Sequence, residues 1–195
     1  MMTLAPAPRA AGPLPGPNDT GCDDAALIRE TVAGDSRAFE QIVHLHHRRV
    51  FNFLYQMTRH QQDAEDLTQQ TFIKAFHHLA RFDQQRPLIN WLLTIARNTA
   101  LNHFRDVKKW AELPVDAAGH EPSPARQTEQ KEQTANLWER ARELLSPREF
   151  EVLWLRFAEE MSTRETARVV GLTETHVKVL VFRARQTLLK GVNPA

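Results

Sequence analysis

One cysteine, one tyrosine and seven glycines among 195 residues exclude several kinds of protein at the outset. The lone cysteine, Cys22, can neither close an internal disulfide nor supply a cysteine-rich zinc site, so a reducing, cytoplasmic setting is expected. No apolar run approaches the roughly 20 residues of a membrane span, and residues 1–21 hold none long enough for a signal-peptide core. Direct membrane insertion is therefore not expected. Few glycines, a single tyrosine and apolar residues recurring at three and four rather than at two argue against strands. An excess of one charge is missing as well. Lys+Arg 25 against Asp+Glu 24 leaves a net charge of +1, which rules out a histone-like cation and a strongly acidic scaffold.

What is present is enough for one or two small helical domains, with 42% hydrophobic and 25% charged residues. Five prolines between Pro6 and Pro17, with almost no large apolar residue, predict a disordered tail over residues 1–22. Pro114, Gly119, Pro122 and Pro124, interleaved with Ala, Asp and Ser, predict a flexible linker over residues 110–127. Two helical blocks remain, 23–109 and 128–191, and no repeat relates them.

In the first block a short helix, Asp24 to Ala33, is expected to stop at Gly34. A second presents Phe39, Ile42, Val43, Val50, Leu54 and Met57 at helical spacing. A third runs from Asp63 to about Arg81, with Leu67, Phe72, Phe76 and Leu79 as its apolar side and Asp63, Glu65 and Asp66 in the first turn, where carboxylates favour the helix dipole. Pro87 is placed just inside a fourth helix that reaches about Lys109. In the second block, Ser146-Pro147-Arg148-Glu149 and Ser162-Thr163-Arg164-Glu165 both read as capping boxes. Thr173 caps one more helix after the turn that Gly171 permits, which is helix-turn-helix spacing. The expected class is all-α: two small helical domains joined by the linker.

On the fourth helix, at about 100° per residue, Leu92, Leu93, Ala96, Ala100, Phe104 and Val107 share one arc. Trp91, Thr94, Asn98, Asn102, Arg105 and Lys109 gather opposite. An aromatic, two amides and nearby cations on one face suit unpaired bases, through stacking, edge hydrogen bonds and phosphate contacts. A solvated face with a half-buried tryptophan would give the same spacing. On the last helix Val177, Leu180, Val181, Ala184 and Leu188 form the inward stripe, leaving Glu174, Thr175, His176, Lys178, Val179, Phe182, Arg183 and Arg185 outward. From Arg164 to Lys190 six basic side chains oppose two acidic ones, a bias suited to a DNA major groove. A generic helical pair would share the periodicity but not the coincidence of caps, turn and charge.

Residues 128–160 are slightly acidic instead, with eight glutamates against five Lys or Arg, so near-neutrality is a sum of opposed local fields. His44, His46, His47, His77 and His78 offer imidazoles, but without an acidic or cysteine partner at i+4 spacing they make a poor metal site. No nucleophile triad, phosphate-cradling glycine loop or metalloprotease helix can be assembled. Neither an enzyme, a cofactor nor a small-molecule substrate is expected.

Three segments together, Asp63-Ala-Glu-Asp-Leu-Thr-Gln-Gln-Thr-Phe-Ile-Lys-Ala-Phe76, Trp91-Leu-Leu-Thr-Ile-Ala-Arg-Asn98 and Leu145-Ser-Pro-Arg-Glu149, resemble the bacterial RNA polymerase sigma factors of the extracytoplasmic-function (ECF) group. The resemblance runs from about Asp23 to Lys190. It implies sigma region 2 in the first block and region 4 in the second, with core polymerase and promoter DNA as partners. Asp63, Asp66, Gln69 and Phe72 would then dock on the β′ clamp helices. Phe82, Asp83, Gln84, Gln85 and Arg86 of the loop, with Trp91, Arg97, Asn98, Asn102 and Arg105 of the fourth helix, would capture the melted minus-ten element. Arg164, Thr173, Glu174, Thr175, His176, Lys178, Val179, Phe182, Arg183 and Arg185 would read the minus-thirty-five duplex, beside a contact with the β flap. An anti-sigma factor is the regulator the resemblance implies.

The last helix departs from the family's usual Thr-Val-Lys-Ser-Arg-Leu-His-Arg-Ala-Arg type of sequence, because Val179 and Leu180 stand where a hydroxyl and a cation are common. Losing two phosphate contacts weakens sequence-independent attraction, and outward Val179 and Phe182 suit either thymine methyls or a protein partner. An operator-binding helix-turn-helix regulator is the alternative from another class. The Trp91, Asn98 and Asn102 stripe argues against it. Near-neutral charge further implies little affinity of the free chain for bulk DNA.

Overall fold

The computed structural model describes residues 21–111 and 129–192. Among these residues there are eight α-helices, one short 3-10 turn and no strand, as the all-α reading expects. The predicted tail and linker lie outside the described residues except at their edges, where 21–22 open the first helix and 110–111 close the fourth.

The first block begins with α1 (Gly21–Val32), and Gly34 reverses the chain at a φ of +106°, which glycine adopts without a Cβ penalty. Asp35 then caps α2 (Ser36–Thr58), its carboxylate accepting the Arg37 N–H at 2.8 Å. Ile42, Val50 and Leu54 are buried on α2, together with Phe53 and His46. His46 meets a partner 22 residues earlier: its Nε2 lies 2.9 Å from Asp24 Oδ1, fixing α1 on α2. α3 (Gln61–His78) starts ahead of Asp63 and is capped by His60, whose Nδ1 accepts the Asp63 N–H at 3.3 Å. A 3-10 turn, Leu79–Arg81, ends it. Pro87 stands just before α4 (Leu88–Ala111) rather than inside it, its carbonyl accepting the Asn90 N–H at 3.1 Å.

α2, α3 and α4 pack on one another, with Ala64, Ala75, Ala96 and Ala100 fully buried where their axes approach. Small residues at those points permit close approach, and Leu67, Leu88, Leu92 and Leu93 fill the space between. Each buried leucine contributes about 1.5–3 kcal/mol relative to exposure. The apolar arc of α4 outlasts its partners: Phe104 and Val107, expected inward, are 37% and 50% exposed.

The second block comprises α5 (Glu129–Leu144), α6 (Pro147–Phe157), α7 (Thr163–Val170) and α8 (Glu174–Val192). Both capping boxes form. Ser146 N–H reaches Glu149 Oε2 at 3.0 Å, and Ser162 N–H reaches Glu165 Oε2 at 2.8 Å, each answered by the reciprocal bond to the serine hydroxyl. Gly171 takes the left-handed conformation (φ +67°) that turns α7 into α8, and the Thr173 hydroxyl accepts the His176 N–H at 3.2 Å. Val177, Leu180 and Ala184 are buried as their spacing predicts.

The blocks do not stand apart. α7 packs against α4, and one continuous core runs from Ile28, Ile42 and Leu93 into Val152, Leu155, Val169, Val170 and Val177. A smaller cluster, Ala141, Leu145, Phe150, Leu153 and Ala184, joins α5, α6 and α8, with Trp138, Trp154 and Leu188 against it.

Candidate polymerase and nucleic-acid interfaces

Three surfaces carry the residues that the sequence singled out. The first lies along α2 and α3. Asp66 and Gln69 are exposed, but Phe72 is only 5% exposed and belongs to the core, so it forms the floor of this surface rather than its contact face. The physical reason is position. Phe72 follows Thr68 and Thr71 on the side of α3 turned to α2 and α4, whereas Ile73 and Phe76 stand 51% and 48% exposed. These two, missed as surface residues because periodicity put Phe76 inward, line a groove of about 460 Å³ with Phe39, Val43, His47 and Gln69. Asp63 is committed within the block, its two oxygens lying 3.4 Å from His60 Nδ1 and 3.6 Å from His103 Nε2. It ties the start of α3 to α4.

The second surface is α4 with the loop before it. Phe82 and Trp91 are half-buried with ring centroids 5.0 Å apart, so the loop's first residue and the helix's first aromatic form one platform. Asp83 organises the loop, accepting the Gln85 N–H at 3.1 Å and pairing with Arg86 Nε at 3.0 Å, while Gln84, Gln85 and Arg86 stay exposed. Further along, Asn98 and Asn102 are exposed and line a shallow hollow of about 290 Å³ with Lys74 and His78 of α3. Lys74 donates to Thr99 Oγ1 at 3.0 Å, and Arg105 donates to Asn102 Oδ1 at 2.7 Å. Lys74 and His78 join this strip through the packing of α3 on α4. No spacing within α4 announces them.

Arg97 does not share that strip. It is 9% exposed, turned about one residue step from Asn98, and its guanidinium grips Glu151 of α6, Nε to Oε1 at 2.6 Å and Nη2 to Oε2 at 3.4 Å. Asn90 is similarly engaged, donating to Glu165 Oε1 at 2.8 Å. Burial works against the charge of Glu165, but hydrogen bonds from Ser162 and Asn90, with Arg168 nearby, outweigh it and hold the carboxyl below its ordinary value. Arg49 pairs with Glu159 at 2.9 Å, and Arg142 donates to Gln56 Oε1 at 2.7 Å. Burial, with Arg59 adding repulsion, lowers the Arg142 guanidinium to about 10, so it remains charged at neutral pH.

The third surface is the outer face of α8. Thr173, Glu174, Thr175, His176, Lys178, Val179, Phe182, Arg183 and Arg185 are all exposed, and Arg164 projects from α7. Phe182 is 63% exposed and Val179 40%, whereas Leu180 is 7% exposed. Leu180 therefore faces the core and is not a lost phosphate contact; of the two departures only Val179 lies on the outer face. Arg185 lies over the Phe157 ring, 5.1 Å from its centroid. Among the described residues no group of three or more His, Cys, Asp or Glu is placed to hold a metal.

The architecture is that of two helical modules, one with an open amide and aromatic strip and one with a helix-turn-helix. The model of sigma-70 region 2 matches residues 42–110, and that of sigma-70 region 4 matches residues 136–188. The chain is 33% identical over 169 residues to the ECF sigma factor BldN of Streptomyces coelicolor, covering 84% of this chain and 64% of BldN, so it spans somewhat less than two thirds of that relative. It is 31% identical over 163 residues to the ECF sigma factor SigM of Bacillus subtilis, covering 79% of this chain and 97% of SigM. The solved structure of CnrH in complex with the cytosolic domain of CnrY superposes with a TM-score of 0.63 at 26% identity, covering 87% of this chain and 97% of that one. The chain belongs to the sigma-70 family of RNA polymerase sigma factors, in its extracytoplasmic-function group. It is thus a factor that brings core RNA polymerase to promoter DNA for initiation. A match to both regions disfavours the operator-only regulator. The matched relatives are sigma factors, which are not enzymes.

Proposed function

We propose that residues 23–109 bind core polymerase and melt the minus-ten element, and that residues 128–191 read the minus-thirty-five element. The observation that carries this reading is the coexistence, in one chain, of a strip formed by half-buried Trp91 and exposed Asn98, Asn102 and Arg105 beside Lys74, and of the exposed outer face of α8. Melting costs unstacking and unpairing energy, and stacking on the Phe82–Trp91 platform with amide contacts at Asn98 and Asn102 returns it on the exposed strand. Lys74, Arg105 and Arg86 hold its phosphates. The α2–α3 groove, with Asp66 and Gln69 at its rim and Ile73 and Phe76 within reach, docks on the β′ clamp helices, and the second block meets the β flap. Tethering two DNA-reading modules raises the effective concentration of each once the other is bound.

The factor performs no covalent chemistry itself and acts in the cytoplasm beside the polymerase. Among the described residues no helix is long and apolar enough to cross a membrane. CnrH is held by the cytosolic domain of CnrY, and an anti-sigma factor of that kind is the regulator proposed for this chain. The test is transcription in vitro with purified core polymerase and genomic fragments. Discrete start sites are expected, and their loss in Asn98→Ala/Asn102→Ala with polymerase binding retained. Absence of promoter-specific initiation by the unsubstituted chain would overturn the reading.

A further inference from the structure

We infer that the cavity between α2, α4 and the second block is a binding site for a small amphiphilic carboxylate, a molecule with an apolar body and one anionic head. Its volume is about 330 Å³, within the range of roughly 300–1,000 Å³ usual for small-molecule sites. The walls are largely apolar: Phe53 and Met57 of α2, Leu101 and Phe104 of α4, and Phe150 and Trp154 of α6. Packed protein interiors leave few voids larger than a water molecule, so a space of this size is not explained by packing. Leu101 and Phe104 are exposed as well as lining it, which gives a ligand its way in from the α4 side.

The polar groups of the lining specify the head. Arg142 Nε and Trp154 Nε1 are both buried, both belong to side chains that line the cavity, and neither has a hydrogen-bond partner among the described residues. Buried donors in folded proteins are nearly always paired. Guanidinium and indole nitrogens only donate, so the missing partner is an acceptor. Charge narrows it further. Three arginines, Arg97, Arg142 and Arg148, line the cavity against one carboxylate, Glu151, and that carboxylate is engaged by Arg97. Arg142 is held in position, its guanidinium 4.1 Å from the Phe150 ring centroid and its Nη2 donating to Gln56 Oε1 at 2.7 Å, but Gln56 is neutral and leaves the charge unmatched. The guanidinium stays protonated at neutral pH even though burial lowers it to about 10. A carboxylate head answers both the open donors and the excess charge. Water is the poorer occupant, because a buried water needs about two to four polar partners and most of these walls offer none.

Isothermal titration of the full chain with decanoate, kept below the concentration at which it forms micelles, tests the site. A single saturable site is expected, with decan-1-ol bound about tenfold or more weakly because it lacks the charge-assisted bonds of the head. Inorganic phosphate, an anion without an apolar body, should show no saturable binding. A ligand that binds only the assembled cavity also raises the melting temperature, and decanoate is expected to do so for the parent chain. Arg142→Met should erase the preference for decanoate over decan-1-ol with helical content retained. Trp154→Phe, which keeps an aromatic ring without the N–H, should cut that preference several-fold and is read alone if Arg142→Met does not fold. Absence of saturable decanoate binding overturns the site and leaves the two donors to water. Equal affinity for acid and alcohol overturns it too, since the cavity would then be a purely apolar void. So does a preference unchanged in both variants, which would place the carboxylate elsewhere on the chain. None of these outcomes bears on the sigma-factor reading, which is tested by initiation at promoters.

Discussion

The Phe82 and Trp91 rings lie 5.0 Å apart at an interplanar angle of 44°, joining the loop before α4 to the first turn of that helix. In the proposed function, two half-buried rings held this way are the surface on which an unpaired base stacks. Trp91→Ala is expected to reduce stable open-complex formation by about 5- to 150-fold, corresponding to the roughly 1–3 kcal/mol of one base-stacking contact, while leaving polymerase binding intact. Permanganate footprinting of melted thymines with a parallel polymerase-binding assay checks this. Unaltered melting in the variant would remove Trp91 from the strand path.

His46 and Asp24 form a buried pair at 2.9 Å, with side chains 1% and 9% exposed, and they are the polar tie between α1 and α2. Asp24→Ala leaves a buried imidazole without this partner and is expected to cost about 1–3 kcal/mol. Asp24→Asn, which retains a hydrogen-bonding group of the same size, should cost less. Urea unfolding of both variants measures the difference, and equal losses would mean that the packing of α1 rather than this bond secures the joint.

Local devices were legible in the sequence because their signals sit within four residues. The two capping boxes, the Gly171 turn and the inward stripe of α8 appear where periodicity and cap chemistry put them. What depended on distant chain was not legible. Arg97 looks like an exposed cation beside Asn98, yet its partner Glu151 is 54 residues away. Phe72 and Phe76 are four apart on α3 and read as one stripe, but only Phe72 lies under α2 and α4, leaving Phe76 48% exposed. His46 gives no sign of being core, because nothing near it in sequence marks Asp24 as its partner. The family resemblance implied roles for these helices but not the packing of α7 against α4.

Phe182, 63% exposed on the outer face of α8, contributes little to folding, and Phe182→Ala should change stability by no more than about 0.5 kcal/mol. In the proposed reading of α8 the ring meets thymine methyls of the minus-thirty-five duplex. The variant is therefore expected to lose activity several-fold at a promoter with an intact minus-thirty-five element and to match the parent where that element is scrambled. An equal loss at both templates would assign the ring to a protein contact instead.

Glu165 links acid sensitivity to the joint between blocks, because its carboxyl closes the capping box of α7 and accepts from Asn90. Its value in the folded chain lies below the ordinary 4.5. The folded state therefore binds the proton less readily than the unfolded one, and stability rises with pH across this window. The contribution is fully present above the ordinary carboxylate range and is lost as pH falls through the lower folded value. Glu165→Gln preserves the capping box without a titratable group. The parent is expected to melt higher than this variant near neutrality, with the gap closing as pH falls below the ordinary carboxylate range. Thermal melts of the two chains across that range give the answer, and a gap that does not change with pH would show that the charge of Glu165 adds nothing to the joint.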